Sequence, residues 1–508
     1  MSLRALIVER IRDRGPLTTA EFMDLALYHP TLGYYTRAPQ RTGRAGDFYT
    51  SVDVGPQFGA LLAIQIDEMH RLLASAGSLV FDLVEVGAGN GQLARDLLDT
   101  AEATYPELYA VTRLTLVETS AAARAVQPNT LGRHWARLAS SAATMPDRVS
   151  GAILANELLD ALPTHAVSMT SDGLREIYID LAGDRLVERT GPPSSPALAD
   201  YLARLDVDLA AGWRGEINLA AVEWVRTAAR RLERGFIILI DYGHTAEELY
   251  SQGHGTGTLT SFHRHLIGTV GDDPHQPDGP AWLSHPGERD ITAHVDLTSV
   301  RAAAEAEGLE VLGLLDQSYF LLGLGALDDP GIGAANADAL KQRLALKTLL
   351  VPGGLGSTHK VLLLGKQVGV PPPAGVLVPH TGDVTDRWKT RSSVRSSCLT
   401  TVRPRRVGQL SRRARHRCAV DDCRTTVCWT ARRNRWAPAT APCASGSTAT
   451  ARTSPSKARP RWPERRCGKS SRPLWVMARC YCDCSSDWVF MSGFGTRNTA
   501  RSSAAAIW

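Results

Sequence analysis

Cysteine is missing from the first 397 residues of this 508-residue chain; all nine cysteines lie between Cys398 and Cys484. The first part therefore has no disulfide framework, which agrees with a reducing compartment. Long apolar runs are also absent. No stretch reaches the roughly eighteen apolar residues of a membrane-spanning helix, and Met1 to Asp13 mixes acids with bases and lacks the apolar centre of a secretory signal. The expectation is a cytoplasmic protein with no membrane span. Basic excess is missing from residues 1–380, which hold 31 Lys and Arg against 45 Asp and Glu. A nucleic-acid partner is accordingly not expected there.

The remainder is a different chain by composition. From Thr381 onward 26 basic residues face 7 acids, and seven of the eleven tryptophans lie beyond Asp386. Residues 369–508 show no sustained helical or strand period. A zinc module drawn from Cys418, Cys423 and Cys428 with Cys480, Cys482 and Cys484 misses the C-x2-C spacing that makes such a reading strong. A basic nucleic-acid arm accounts for the arginines but not for the cysteines and tryptophans. The preferred reading is translation of GC-rich coding sequence in a shifted frame, which predicts a disordered tail without function.

What the first part does contain is FDLVEVGAGNGQLARDLL, residues 81–98. An apolar strand carries Glu85 to its carboxyl end, and Gly87, Gly89 and Gly91 allow a tight turn and close approach of backbone to a ligand. Leu93, Leu97 and Leu98 then share one side of a helix. A dinucleotide fold needs G-x-G-x-x-G/A, but Gln92 stands at the third place of that register. The E-x-G-x-G-x-G run resembles instead the first motif of class I S-adenosylmethionine (SAM) methyltransferases. A second strand, Arg113 to Val117, delivers Glu118, whose carboxylate can accept from both hydroxyls of a ribose.

Core strands are expected at Leu79–Val86, Arg113–Glu118, Gly151–Asn156, Gly235–Tyr242, Leu309–Leu315 and Lys360–Gly365. Their alternation with helices predicts an α/β fold with a mostly parallel, Rossmann-like sheet covered on both faces. An N-terminal helical or lid region, residues 1–78, precedes a SAM-binding domain over 79–368. Within it, REIYIDLAGDRLVERT predicts a hairpin turning at Gly183-Asp184, part of an inserted lobe over about 166–232. Thr18 or Thr19 is expected to cap a helix ending before Pro30.

A third strand ends at Asn156, followed by Glu157 and Asp160. Two carboxylates three apart can share one face of a helical turn, where they could hold a guanidinium or accept a proton from an amine; they could equally solvate a loop. Several segments then occur in order: YHPTLGYYTR, GRAGDFYTS with an FGALLA helix, the glycine turn, ANELLDALP, IDYGH, GTLTSFHRH, PGERDITAHVDL and LLVPGGLGSTHKVLLL. Together they resemble the MidA family of SAM-dependent methyltransferases, which includes a mitochondrial arginine methyltransferase serving respiratory complex I assembly.

The resemblance spans roughly residues 5–367 and implies methylation of a protein, at arginine, with a respiratory-complex subunit among the partners. It implies SAM binding by Glu85, Gly87, Gly89, Gly91, Glu118, Asn156 and Asp47, the last within the segment 46–51 folded over the cofactor. Glu157 and Asp160 become the catalytic candidates; Asp241, Tyr242, His244, His294 and the 290–296 segment line the substrate cleft. One departure stands out: relatives carry S-P-E or A-P-E where this chain has Ser51-Val52-Asp53. The histidines 244, 254, 263, 265, 285 and 294 cluster in sequence, but methyl transfer needs orientation and charge placement rather than a metal. No metal is expected, and His294 is read as positioning substrate. A small-molecule methyltransferase and a non-catalytic SAM-binding assembly factor are the competing readings.

Overall fold

The computed structural model describes residues 1–36, 50–75, 80–207, 209–263, 266–267, 279–328, 336–351 and 354–368. The chain divides into two units, Met1–Arg403 and Pro404–Trp508, and every described residue belongs to the first. Asp47 and the readings of the tail lie outside the described residues.

An eight-stranded sheet forms the centre. Its neighbours run in the order Glu310–Asp316, His359–Lys366, Leu232–His244, Val149–Asn156, Phe81–Val86, Thr112–Val117 and Leu138–Ala142, with the short Val295–Asp296 pairing on Leu232–His244. The five strands from Leu232–His244 to Leu138–Ala142 pair in parallel. His359–Lys366 runs antiparallel to both of its neighbours. The chain moves outward from Phe81–Val86 to one edge, then returns to start the other half at Val149–Asn156. Ligands of open α/β sheets bind at such a reversal, outside the carboxyl ends of the strands.

The six expected strands are present, each end within three residues of the expected one. Leu138–Ala142 was not anticipated: its LASSA sequence is a half-exposed edge strand without an apolar run.

Both faces of the sheet are covered, as the uninterrupted burial of FDLVEV requires. Helices Gln57–Ser75 and Gln92–Thr104 bury Phe58, Leu62, Ile66, Leu93, Leu97 and Leu98 on one side. Each such leucine contributes roughly 1.5–3 kcal/mol. Helices Leu219–Arg231 and Leu297–Ala306 cover the other side with Val222, Val225, Val300 and Ala304.

A separate antiparallel sheet joins Gly173–Ala182 to Arg185–Gly191 through a two-residue turn at Gly183 and Asp184. It also takes in His165–Thr170, Arg214–Ile217 and the two-residue strand Leu17–Thr18. The N-terminal helices Leu3–Arg14 and Thr19–Tyr28 pack on this sheet, burying Ile7, Phe22 and Leu27 with Ile179 and Leu186. Thr18 caps the second helix in a reciprocal capping box with Glu21. No helix of the described residues is long and apolar enough to cross a membrane.

Candidate active site

A cavity of about 890 Å³ opens at the carboxyl ends of the parallel strands and extends from the glycine turn to the N-terminal helices and the 290–294 segment. Gly87, Gly89 and Gly91 adopt φ of 73°, 51° and 84°, the left-handed region that glycine alone enters freely. A Cβ on Gly87 would come within 3.1 Å of Leu158 Cδ1, and one on Gly91 within 3.3 Å of Leu116 Cδ1. On Gly89 it would meet nothing within 4 Å, because this residue faces the cavity.

The turn is held at both of its polar ends. The Gly89 N–H donates to Glu118 Oε2 at 2.9 Å, while Gln127 Nε2 donates to the Gly89 carbonyl at 2.8 Å and Gln127 Oε1 accepts from the Ser141 hydroxyl at 2.6 Å. Glu118 Oε1 accepts the Ser120 N–H at 2.7 Å. Oε1 also accepts from the Thr119 hydroxyl at 3.4 Å, so Oε2 is the oxygen that keeps acceptor capacity for a ribose hydroxyl.

Glu85 lines the same end and is only 5 % exposed. Among the described residues its Oε2 has no hydrogen-bond partner. Burial pushes its carboxyl up to about 8 against the favourable Ala94 N–H, with Glu118 and Asp96 adding to the rise. A buried carboxyl whose Oε2 has no partner among the described residues, beside an open glycine cradle, is matched to a ligand whose positive charge would stabilise its ionised form. The residues present therefore fit SAM, which has both an ammonium and a ribose.

At the other end the lining turns acidic. Glu157 takes φ of 50°, and its N–H donates to the Ile240 carbonyl at 2.7 Å. Its Oε1 accepts from the Ser51 N–H at 3.2 Å and from Asn156 Nδ2 at 3.3 Å, and lies 3.3 Å from Nε2 of the fully buried His359. Asn156 lines the cavity with its Nδ2 engaged by Glu157 and its Oδ1 without a partner among the described residues. Asp160 is 5 % exposed, and its Oδ1 has no partner among the described residues. Burial, then Asp241, Asp290 and Glu157, raise its carboxyl well above the carboxylate range. Residues 157–162 form turns, not the helical turn expected from the spacing. Asp160 converges on Glu157 because the chain doubles back, its carbonyl receiving the Ala293 N–H at 3.0 Å.

Asp241 is the correction among the substrate candidates. It does not line the cavity: its Oδ2 accepts the N–H groups of Leu158 and Leu159 at 3.1 and 2.7 Å, so it shapes the turn that carries Glu157 and Asp160. Its neighbour Tyr242 does reach the cavity, its ring 4.0 Å from that of His359 between centroids.

Asp290, Tyr28 and Tyr35 line the cavity in roles that sequence reasoning did not assign individually. Asp290 accepts from the Tyr35 hydroxyl at 2.8 Å, and Tyr35 stacks on Tyr28 with centroids 5.5 Å apart. The tyrosines lie in the quoted YHPTLGYYTR segment, which marks the family without disclosing a function. Thr50 and Ser51 close the lid side; Asp53, standing in for the relatives' glutamate, accepts from Thr50 N–H and Oγ1 at 3.0 and 2.8 Å. His294 lines the cavity, its imidazole held down to about 4 by burial and by His244 and His254. His265 lies outside the described residues.

Comparison with known proteins gives this geometry its context. The family described as "Putative S-adenosyl-L-methionine-dependent methyltransferase" matches residues 61–315. The mitochondrial protein arginine methyltransferase NDUFAF7 of Rattus norvegicus is 28% identical over 350 residues, 63% of this chain and 73% of that protein. The Homo sapiens protein of the same name is 28% identical over 351 residues, 63% and 72% of the respective chains. A crystal structure from Burkholderia thailandensis, bound to S-adenosyl-homocysteine, superposes with a TM-score of 0.64 at 28% identity, covering 73% of this chain and 94% of that one. With a family match over half its length and a cavity built for the cofactor, the chain belongs to this family and is a SAM-dependent methyltransferase.

Proposed function

We propose that this methyltransferase acts on an arginine side chain of a protein, gripped at the acidic end of the cavity. The observation that carries the reading is the convergence of Glu157, Asp160 and Asp290 on the cavity that also holds the glycine turn, with Asp160 Oδ1 unpartnered. A planar guanidinium with five donors satisfies several carboxylate oxygens at once. The names of the rat and human relatives support the same acceptor, and the family resemblance makes respiratory-complex subunits the first proteins to test.

Bound SAM supplies a methyl group on a positively charged sulfur, open to in-line displacement by a nitrogen lone pair. The chain's residues do the rest. Glu85 would hold the cofactor's ammonium and Glu118 its ribose hydroxyls, with the glycine turn leaving room for its amino acid half. Glu157, fixed by Ser51 and Asn156, orients the guanidinium. Asp160, which the cationic guanidinium would ionise on binding, would receive the proton shed when the nitrogen is alkylated. Tyr28 and Tyr35 exclude water on the substrate side.

The test is transfer of labelled methyl from SAM to a lysate of the source cell, followed by total hydrolysis of the labelled protein. Methylarginine is the expected product, and its formation drops at least a hundredfold in Asp160→Asn. Label confined to small molecules, or to another amino acid, overturns the reading.

A further inference from the structure

Three histidines from three segments of the chain meet beside the cavity in a manner the methyl-transfer chemistry does not call for. His244 ends the strand Leu232–His244, and its neighbour Gly243 pairs in parallel with Val295, which brings His294 alongside. His254 arrives from the one-turn segment Gln252–His254. One ring nitrogen from each lies within 4.8 Å of the others, and His244 Nε2 and His294 Nδ1 are 3.1 Å apart. The ring centroids are separated by 4.7, 5.0 and 6.1 Å.

Orientation singles this cluster out. His254 Nδ1 is 2.9 Å from the Glu248 carbonyl oxygen. A carbonyl only accepts, so Nδ1 carries the hydrogen and Nε2 presents a lone pair. His244 Nδ1 lies on the side of the Glu248 carboxylate, at 3.6 Å, which leaves its Nε2 turned toward His294. One residue thus sets two imidazoles from behind, the arrangement by which outer partners orient metal-binding histidines. The His294 backbone is pinned in turn, its N–H donating to Thr258 Oγ1 at 3.0 Å.

A hydrogen bond between His244 and His294 explains one close pair but leaves the third imidazole and its fixed tautomer without a reason. Two nitrogens bound at 2.0–2.1 Å to a tetrahedral ion sit about 3.3 Å apart, close to the observed 3.1 Å. We propose that His244, His254 and His294 form a three-histidine site for a divalent transition ion of the zinc class, with its fourth position open to water. Imidazole-only ligation suits zinc, copper, nickel or iron better than magnesium or calcium. A small rotation of His254 on its short segment completes the triad. The ion ties the 290–294 cavity wall to the strand end and to the 252–254 turn, and the inference does not depend on which acceptor is methylated.

The test uses the full chain with its cysteines blocked by N-ethylmaleimide, since all nine lie beyond residue 397. Metal-free protein is titrated with Co²⁺ and then with Zn²⁺. One equivalent of Co²⁺ is expected to give the intense visible bands of a tetrahedral site, displaced by Zn²⁺, and zinc is expected to raise the melting temperature. His254→Ala and His244→Ala each lower the affinity at least a hundredfold, while His285→Ala leaves it unchanged. Absence of a tetrahedral Co²⁺ spectrum, or binding that persists undiminished in His254→Ala, overturns the proposal and returns the cluster to a hydrogen-bonded histidine pair.

Discussion

Replacing Glu85 with glutamine separates cofactor recognition from simple burial. In the free protein the Glu85 carboxyl titrates at about 8 rather than at its ordinary 4.5, chiefly because burial disfavours the charge. Below pH 4.5 both folded and unfolded chains carry the proton, and the residue costs nothing. As pH rises from 4.5 to 8 the unfolded chain ionises while the folded one does not, so stability falls by roughly 1.4 kcal/mol per pH unit. Glu85→Gln removes that slope: the variant should match the parent near pH 5 and melt higher at pH 8 in the absence of ligand. Binding should show the opposite trend. An ammonium placed against Glu85 restores its ionised form, so the apparent affinity of the parent for S-adenosyl-homocysteine should rise about fifty-fold between pH 6 and pH 8 relative to the variant. Titration of the ligand's own amine is common to both proteins and cancels in the ratio. Calorimetry in two buffers of different ionisation enthalpy counts the released proton, close to one at pH 6.5 for the parent and none for Glu85→Gln. Equal pH profiles for the two proteins would refute the pairing and leave Glu85 as a buried acid of the strand.

Gly89→Val should bind S-adenosyl-homocysteine at least a hundredfold more weakly by calorimetry while remaining folded, because its Cβ projects into the cavity and φ of 51° strains a β-branched residue without striking a neighbour. Asp160→Asn and Glu157→Gln should keep ligand affinity within about threefold and lose turnover, since both act on the acceptor; a parental rate in the double variant reduces them to loop residues. Gly151→Ala should fail to fold, read as loss of soluble protein and of cooperative melting. Its Cβ would stand 2.1 Å from the Asp82 carbonyl oxygen at φ of 153°, a clash in the middle of the parallel sheet that costs more than about 4 kcal/mol.

The parts of this molecule that were readable from the sequence are those whose determinants are neighbours in the chain. FDLVEV followed by three alternating glycines specifies strand, turn and helix within eighteen residues, and Glu118 follows at the end of the adjacent strand. The apolar run HKVLLLGK announces a buried strand equally well, but burial has no direction. Nothing in it discloses that it enters the sheet antiparallel, inserted between Leu232–His244 and the strand just before it in the chain, Glu310–Asp316. LASSA was invisible for the converse reason, since an edge strand needs little apolar surface.

The substrate end obeys the same logic with a harsher outcome. Successive side chains of a strand point to opposite sides, so Asp241 and Tyr242 could not both face the cavity, and the sequence offers no way to choose. The structure spends Asp241 on the amides of Leu158 and Leu159 and sends Tyr242 inward. Asp290 joins Glu157 and Asp160, and His294 joins His244, only because a two-residue strand returns the chain to the sheet edge. A cofactor that asks for a backbone turn leaves a contiguous trace, whereas a cavity end lined by side chains of separate segments, residues 157–160 and Asp290 among them, does not. Under the proposed function the acceptor is gripped where Glu157, Asp160 and Asp290 converge on the cavity, so a single carboxylate substitution there is more informative about that proposal than any change within the glycine turn.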